Sequence, residues 1–122
     1  MAVKSYLPLF RPGDTVTFGV TSAVTAGQAV EVSATADMSV APAAAGSAKY
    51  VGVAGHDAAV GDKLTVEVGK PIHELKASGA ITRGQRLETG AVGTVRTVNT
   101  GTPVFVALSS AADGALVRAI QL

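Results

Sequence analysis

A chain of 122 residues with ten basic and nine acidic side chains, a formal charge of +1 and no cysteine has the size of one domain. It lacks the basic stripe that double-stranded nucleic acid draws, and without cysteine it has no disulfides, thiol catalysis or thiolate metal sites. The apolar fraction is 48% but aromatics are only 4%, and the excess is mostly Ala and Val, which remove little area each at roughly 25 cal/mol per Å². The core is therefore thin for its length, and burial against a partner surface is expected. The opening Met-Ala-Val-Lys-Ser-Tyr has no apolar stretch of signal-peptide length. No window approaches the roughly 18 apolar residues of a membrane helix, so no membrane contact and a cytoplasmic origin are expected.

Residues 1–12 stand apart as an extended arm. Val3, Tyr6, Leu7, Leu9 and Phe10 are apolar, while Pro8 and Pro12 prevent a regular helix and interrupt strand pairing. Such an arm packs over its own domain or docks on a partner, adding itself to an exposed sheet edge. Asp14 to Val20 alternates, with Val16, Phe18 and Val20 inward. Gln28 to Ala34 is a second strand with Val30, Val32 and Ala34 inward. Asp37 to Ala41 reads as a short edge strand and Pro42 to Gly46 as a loop. Tyr50 to Gly55 is apolar and glycine-rich, the mark of a bulge or a close backbone approach.

The stretch Gly61-Asp-Lys-Leu-Thr-Val-Glu-Val-Gly69 sets Leu64, Val66 and Val68 on one side, the period-two pattern of a half-buried strand. Its opening phrase, glycine, then Asp or Gln, one residue and an aliphatic, occurs at Gly13, Gly27, Gly61 and Gly84, each reading as a turn that feeds a strand. Further strands are expected over Ile72 to Ala77, Gln85 to Thr89, Thr94 to Val98 and Pro103 to Leu108. In the last of these Val104, Val106 and Leu108 face one way and Phe105 and Ala107 the other. Apolar residues on both faces imply a strand that is central or covered by a neighbour, which makes Val104, Phe105 and Val106 candidates for a subunit interface. Ala115 to Leu122 closes the chain, with Leu116 and Ile120 apolar around Arg118. Eight to ten short strands at roughly 10-residue spacing without a helix predict an all-β fold, a single small β-barrel or β-sandwich-like domain over residues 13–122.

No constellation of residues carries chemistry. His56 and His73 have neither cysteine nor a second histidine at ligand spacing. Adjacent His56 and Asp57 point in opposite directions on an extended backbone, and Asp57 reads as a turn residue that bonds backbone N–H groups. Ser109-Ser110 lies in no nucleophile elbow. The glycines match neither phosphate-binding nor dinucleotide-binding patterns. No cofactor, metal or catalytic residue is expected.

Tyr50 to Gly69, followed by Ile72-His-Glu-Leu75 and Ala80-Ile-Thr-Arg-Gly-Gln-Arg-Leu87, resembles the small capsid decoration proteins of tailed double-stranded-DNA phages, over about Gly13 to Leu122. The resemblance implies a non-enzymatic virion protein on the outer surface of an expanded icosahedral head. It implies homotrimers on the major capsid protein, bracing the shell, with the arm from Val3 to Phe10 contacting the lattice. The alternative is another virion β-module, such as a head fibre, spike or tail accessory protein.

Overall fold

The computed structural model describes residues 14–122; the arm assigned to residues 1–12, and Gly13, lie outside them. Ten strands follow in order: β1 Thr15–Val20, β2 Ala29–Val32, β3 Ser39–Pro42, β4 Tyr50–Ala54, β5 Lys63–Glu67, β6 Ile72–Lys76, β7 Arg86–Thr89, β8 Val95–Thr97, β9 Phe105–Ala107 and β10 Leu116–Gln121. One 3₁₀ turn, Ala91–Gly93, is the single helical element among the described residues. The all-β expectation holds, and β5 alternates as its sequence predicts, with Leu64 and Val66 buried and Lys63 exposed.

The region read as a single small β-barrel or β-sandwich-like domain contains two sheets of the same design, one in each half of the chain. In the first, β1-β3-β2-β4-β5 close into a barrel, with β1 antiparallel to β5 and parallel to β3 at Val20 and Val40. The second orders its strands β6-β10-β9-β7-β8, repeating each antiparallel pairing of the first. Its outer strands meet at one parallel bridge, Ala77 with Val95, the counterpart of Val20 with Val40. The repeat is visible in the chain itself as Thr25-Ala-Gly-Gln-Ala-Val-Glu-Val32 and Thr82-Arg-Gly-Gln-Arg-Leu-Glu-Thr89. β3, expected at an edge, pairs on both sides because it closes the first barrel.

The repeated glycine phrase marks the turns that tie each half together. The N–H groups of Gly27, Gly61, Gly84 and Gly114 donate to the carbonyls of Ala54, Val20, Ala107 and Ala77, and all four glycines have φ between 81° and 90°, a region open to glycine at no steric cost. The residue after glycine is Gln or Asp for a local reason. The side-chain oxygens of Gln28, Asp62 and Gln85 accept from the N–H groups of Thr25, Ala59 and Thr82, an Asx-type turn that closes on itself. The fourth member is Gly114, where Ala115 supplies no acceptor and the phrase is broken. The turns are knitted in pairs, Val24 with Ala58 and Ile81 with Ala111, each pair exchanging both backbone hydrogen bonds.

Two cores result. One gathers Val20, Val30, Val40, Leu64 and Val66 inside the barrel; the other gathers Leu75, Leu87, Val95, Phe105 and Val117. β4 joins them, because Val53 belongs to the second core and Tyr50 packs against it, its ring edge-on to Phe105 at 5.2 Å. The bulge expected from the glycines of β4 lies opposite Val30 and Glu31. At Gly52 any Cβ runs into the Glu67 carbonyl and the Val66 side chain of β5. The halves also meet at Gly46 and Gly101, which occupy equivalent places in the two repeats. A Cβ on Gly101 collides with the Gly46 Cα and the Glu88 carboxylate.

Phe105→Ala is expected to cost about 3–5 kcal/mol, read as a lowered urea midpoint. The Tyr50 hydroxyl is buried without a hydrogen-bond partner among the described residues, so Tyr50→Phe should leave the midpoint unchanged or raise it, by up to about 1 kcal/mol.

Candidate interaction surface

Of the residues singled out as contact sites, the arm residues Val3, Tyr6, Leu7, Leu9 and Phe10 lie outside the described residues. The proposed interface strand is placed differently from its reading. Phe105 is 0% exposed and Val104 8%, so both are spent on the chain's own core, and only Val106 of the three is partly exposed. β9 is apolar on both faces because it is central, between β10 and β7. Phe105→Asp is therefore expected to disrupt folding.

Exposed apolar residues line up in a row on the outer face of the second sheet. In β10 the inward residues are Val117, Ala119 and Gln121, while Leu116 and Arg118 are exposed and Ile120 half-buried. The sequence reading pairs Leu116 with Ile120 correctly, but the small residues Val117 and Ala119 are the ones that fit against Phe105. The cross-strand register sets Ile72, Ile120 and Val106 side by side on three strands, with Arg86 next in the row. The next row holds Glu74 opposite Arg118, and Leu108, whose N–H donates to the Arg118 carbonyl. Ile72 is 61% exposed, Leu116 59% and Leu108 49%. Likewise Val32, expected inward, is exposed at the end of β2, where Ala29 and Val30 take the buried places.

Beside this face a cleft of about 380 Å³ opens between the halves, lined by Thr25 to Gln28, Val92 to Thr94, Glu74, Lys76 and Leu116. Val92 is exposed and has φ 52°, an uncommon left-handed conformation for a β-branched residue. Its carbonyl accepts from the Gln28 amide at 3.3 Å.

Two equivalent glutamates each hold a loop in place. Glu31 accepts from the Ala44 N–H at 2.9 Å and lies 3.7 Å from Lys49. Fully buried Glu88 accepts from the Asn99 N–H and from Arg96 at 3.2 Å. Each thus clamps the loop between the third and fourth strands of its half. Burial pushes the Glu88 carboxyl up, but the Asn99 N–H and the Arg96 guanidinium outweigh it and hold it below the ordinary value of 4.5. Sequence reading passed over this pair, although both glutamates fall at the same place in the repeated octapeptide.

Among the described residues the histidines serve the backbone and the core. His56 bonds the Asp57 carbonyl and accepts from the Thr65 N–H, while Asp57 accepts from the Ala26 N–H, the backbone-bonding turn that was expected. His73 contacts Gln121 at 2.9 Å and lies edge-on to Phe105. Among the described residues no three His, Cys, Asp or Glu side chains gather into a metal-holding group, and no helix is long and apolar enough to cross a membrane.

The family model of the phage cement protein matches residues 10–122. No curated protein sequence matches the chain. Among solved structures it is similar to the head fiber gp8.5 N base of bacteriophage phi29. The identity is 26%, over 88% of this chain and 92% of that one, with a TM-score of 0.72.

Glu88→Gln is expected to cost about 1–3 kcal/mol at neutral pH. Because the folded carboxyl titrates below its ordinary value, its contribution is present above the unfolded value and disappears as pH falls through the folded one. The stability gap between wild type and Glu88→Gln, measured by urea unfolding, should be full at pH 6 and shrink as the pH falls below about 4.5.

Proposed function

The chain belongs to the phage cement protein family and is a non-enzymatic structural protein of the phage virion, and from that premise we propose that it seats on the outside of the phage head in the manner of a head-fibre base. The observation that carries this reading is the shared architecture with the head fiber base of phi29, extending over most of both chains. The partner in this reading is the major capsid protein, with three copies grouped around one attachment point. A fold of backbone-tied turns and two small cores suits a protein that presents surface and does no chemistry.

A second reading, decoration that braces the expanded shell, is favoured by the family's description as cement. The two readings differ in what binding does to the head. A base attaches and projects, whereas a brace also raises the shell's resistance to disruption.

The test is co-sedimentation of purified protein with heads lacking it, expanded and unexpanded, followed by heating of the loaded heads. Saturable binding to expanded heads at a fixed ratio to the major capsid protein is expected. An unchanged disruption temperature on binding supports the base reading and a raised one the brace. Absence of binding to either kind of head would overturn both.

A further inference from the structure

The two halves share one backbone design but not one surface, and the difference is directional. Where the second half exposes Ile72, Leu108, Leu116 and Ile120, the first half has Thr15, Gly55, Lys63 and Glu67 at the corresponding places, as the matching strand registers show. The aliphatic row on the outer face thus has no counterpart at the equivalent strand positions of the first half, which exposes Val32 at the end of β2 and Met38 and Val60 in its loops. The members of the row belong to neither core among the described residues, and isolated exposure does not account for a row spanning three neighbouring strands.

The charges divide along the same line. In residues 14–68, Asp14, Glu31, Asp37, Asp57, Asp62 and Glu67 against Lys49 and Lys63 leave a formal charge of −4. In residues 69–122, Lys70, Lys76, Arg83, Arg86, Arg96 and Arg118 against Glu74, Glu88 and Asp113 leave +3. Among the described residues the ion pairs are Lys49 with Glu31 and Arg96 with Glu88. Lys76, Arg86 and Arg118, which surround the aliphatic row, take part in neither pair, although Glu74 lies opposite Arg118 on the neighbouring strand.

The first half carries a surface of complementary character at one end of its barrel. The N–H of Gly19 donates to the Met38 carbonyl and the N–H of Gly61 to the carbonyl of Val20, so the loops bearing Met38 and Val60 flank the same end of β1. Met38 and Val60 are 53% and 66% exposed, and each has a carboxylate close by in the chain, Asp37 and Asp62, with the cation Lys63 also at this end, opposite Gly19.

We propose that the aliphatic, cationic outer face of the second half docks on the acid-flanked Met38 and Val60 end of the first half of a second copy, head to tail. Unlike patches in contact make a heterologous interface, which closes into a ring when the rotation permits. Opposite net charges on the two halves favour this register and oppose face-to-face pairing of like halves. The inference concerns contacts between copies in solution and does not rest on attachment to a phage head.

The test uses two variants altered only at exposed residues, Ile72→Glu/Arg118→Glu on the second half and Asp37→Lys/Val60→Lys on the first. Sedimentation velocity is run on each alone and on their equimolar mixture, and circular dichroism checks that both are folded. Wild type is expected to sediment as a multimer and each variant as a single copy. The mixture should form one-to-one pairs and nothing larger, because each pair then has one intact interface. A multimeric first-half variant beside a single-copy second-half variant would overturn the proposal in favour of face-to-face pairing. A single-copy wild type, or two multimeric variants, would overturn it outright.

Discussion

Everything in this molecule depends on where four glycine N–H groups send their hydrogen bonds. Each turn could have closed on its own strand and left a hairpin. Instead, each glycine donates to the end of a strand in the partner turn's segment, so that two turns hold each other in place and a short strand cannot slide in register. That arrangement substitutes for a large core. Strands of three to six residues bury little surface individually, and the small clusters inside each half would not specify one register by themselves.

The sequence displays this logic unevenly. Strand positions were legible because Val and Leu alternate with Thr, Lys and Glu, as at Leu64 and Val66, and the absence of sustained helical periodicity excluded the competing class. The duplication was half-visible. Gly27, Gly61 and Gly84 announce themselves through the Gln or Asp that follows, while Gly114 is hidden because Ala115 dispenses with the side-chain acceptor. Facing was the weak point. In β10 two aliphatics and three inward residues compete for the core, and hydrophobicity alone favours Leu116 and Ile120 over Val117 and Ala119. Space decides otherwise: the ring of Phe105 fills the second core, leaving room for small residues opposite it. The same ring explains why Phe105, offered with Val104 and Val106 for a subunit interface, fills the interior while Val106 stays partly exposed.

The glutamates show a different kind of illegibility. A buried carboxylate such as Glu88 is costly unless fully bonded, and its partners, the Asn99 N–H and Arg96, are set by loop geometry that no local pattern discloses. Its equivalent, Glu31, performs the same task nearer to solvent. One half thus keeps the clamp wet and the other dry. The dry version sits where the halves adjoin, a junction held by backbone and Thr89 hydrogen bonds as well as by apolar contact.

The approach of Gly46 to Gly101 has a mechanical meaning. Most interfaces between structural units are cushioned by side chains that can change rotamer under load. Here, at one point, main chain bears on main chain, braced by the Gly46 N–H bond to the Thr89 carbonyl at 2.7 Å and the neighbouring Ser47 and Thr89 contacts. A push on one half reaches the other with little lost to rotamer change, so the pair responds as one stiff body. That stiffness is the property that lets a thin-cored protein hold its shape.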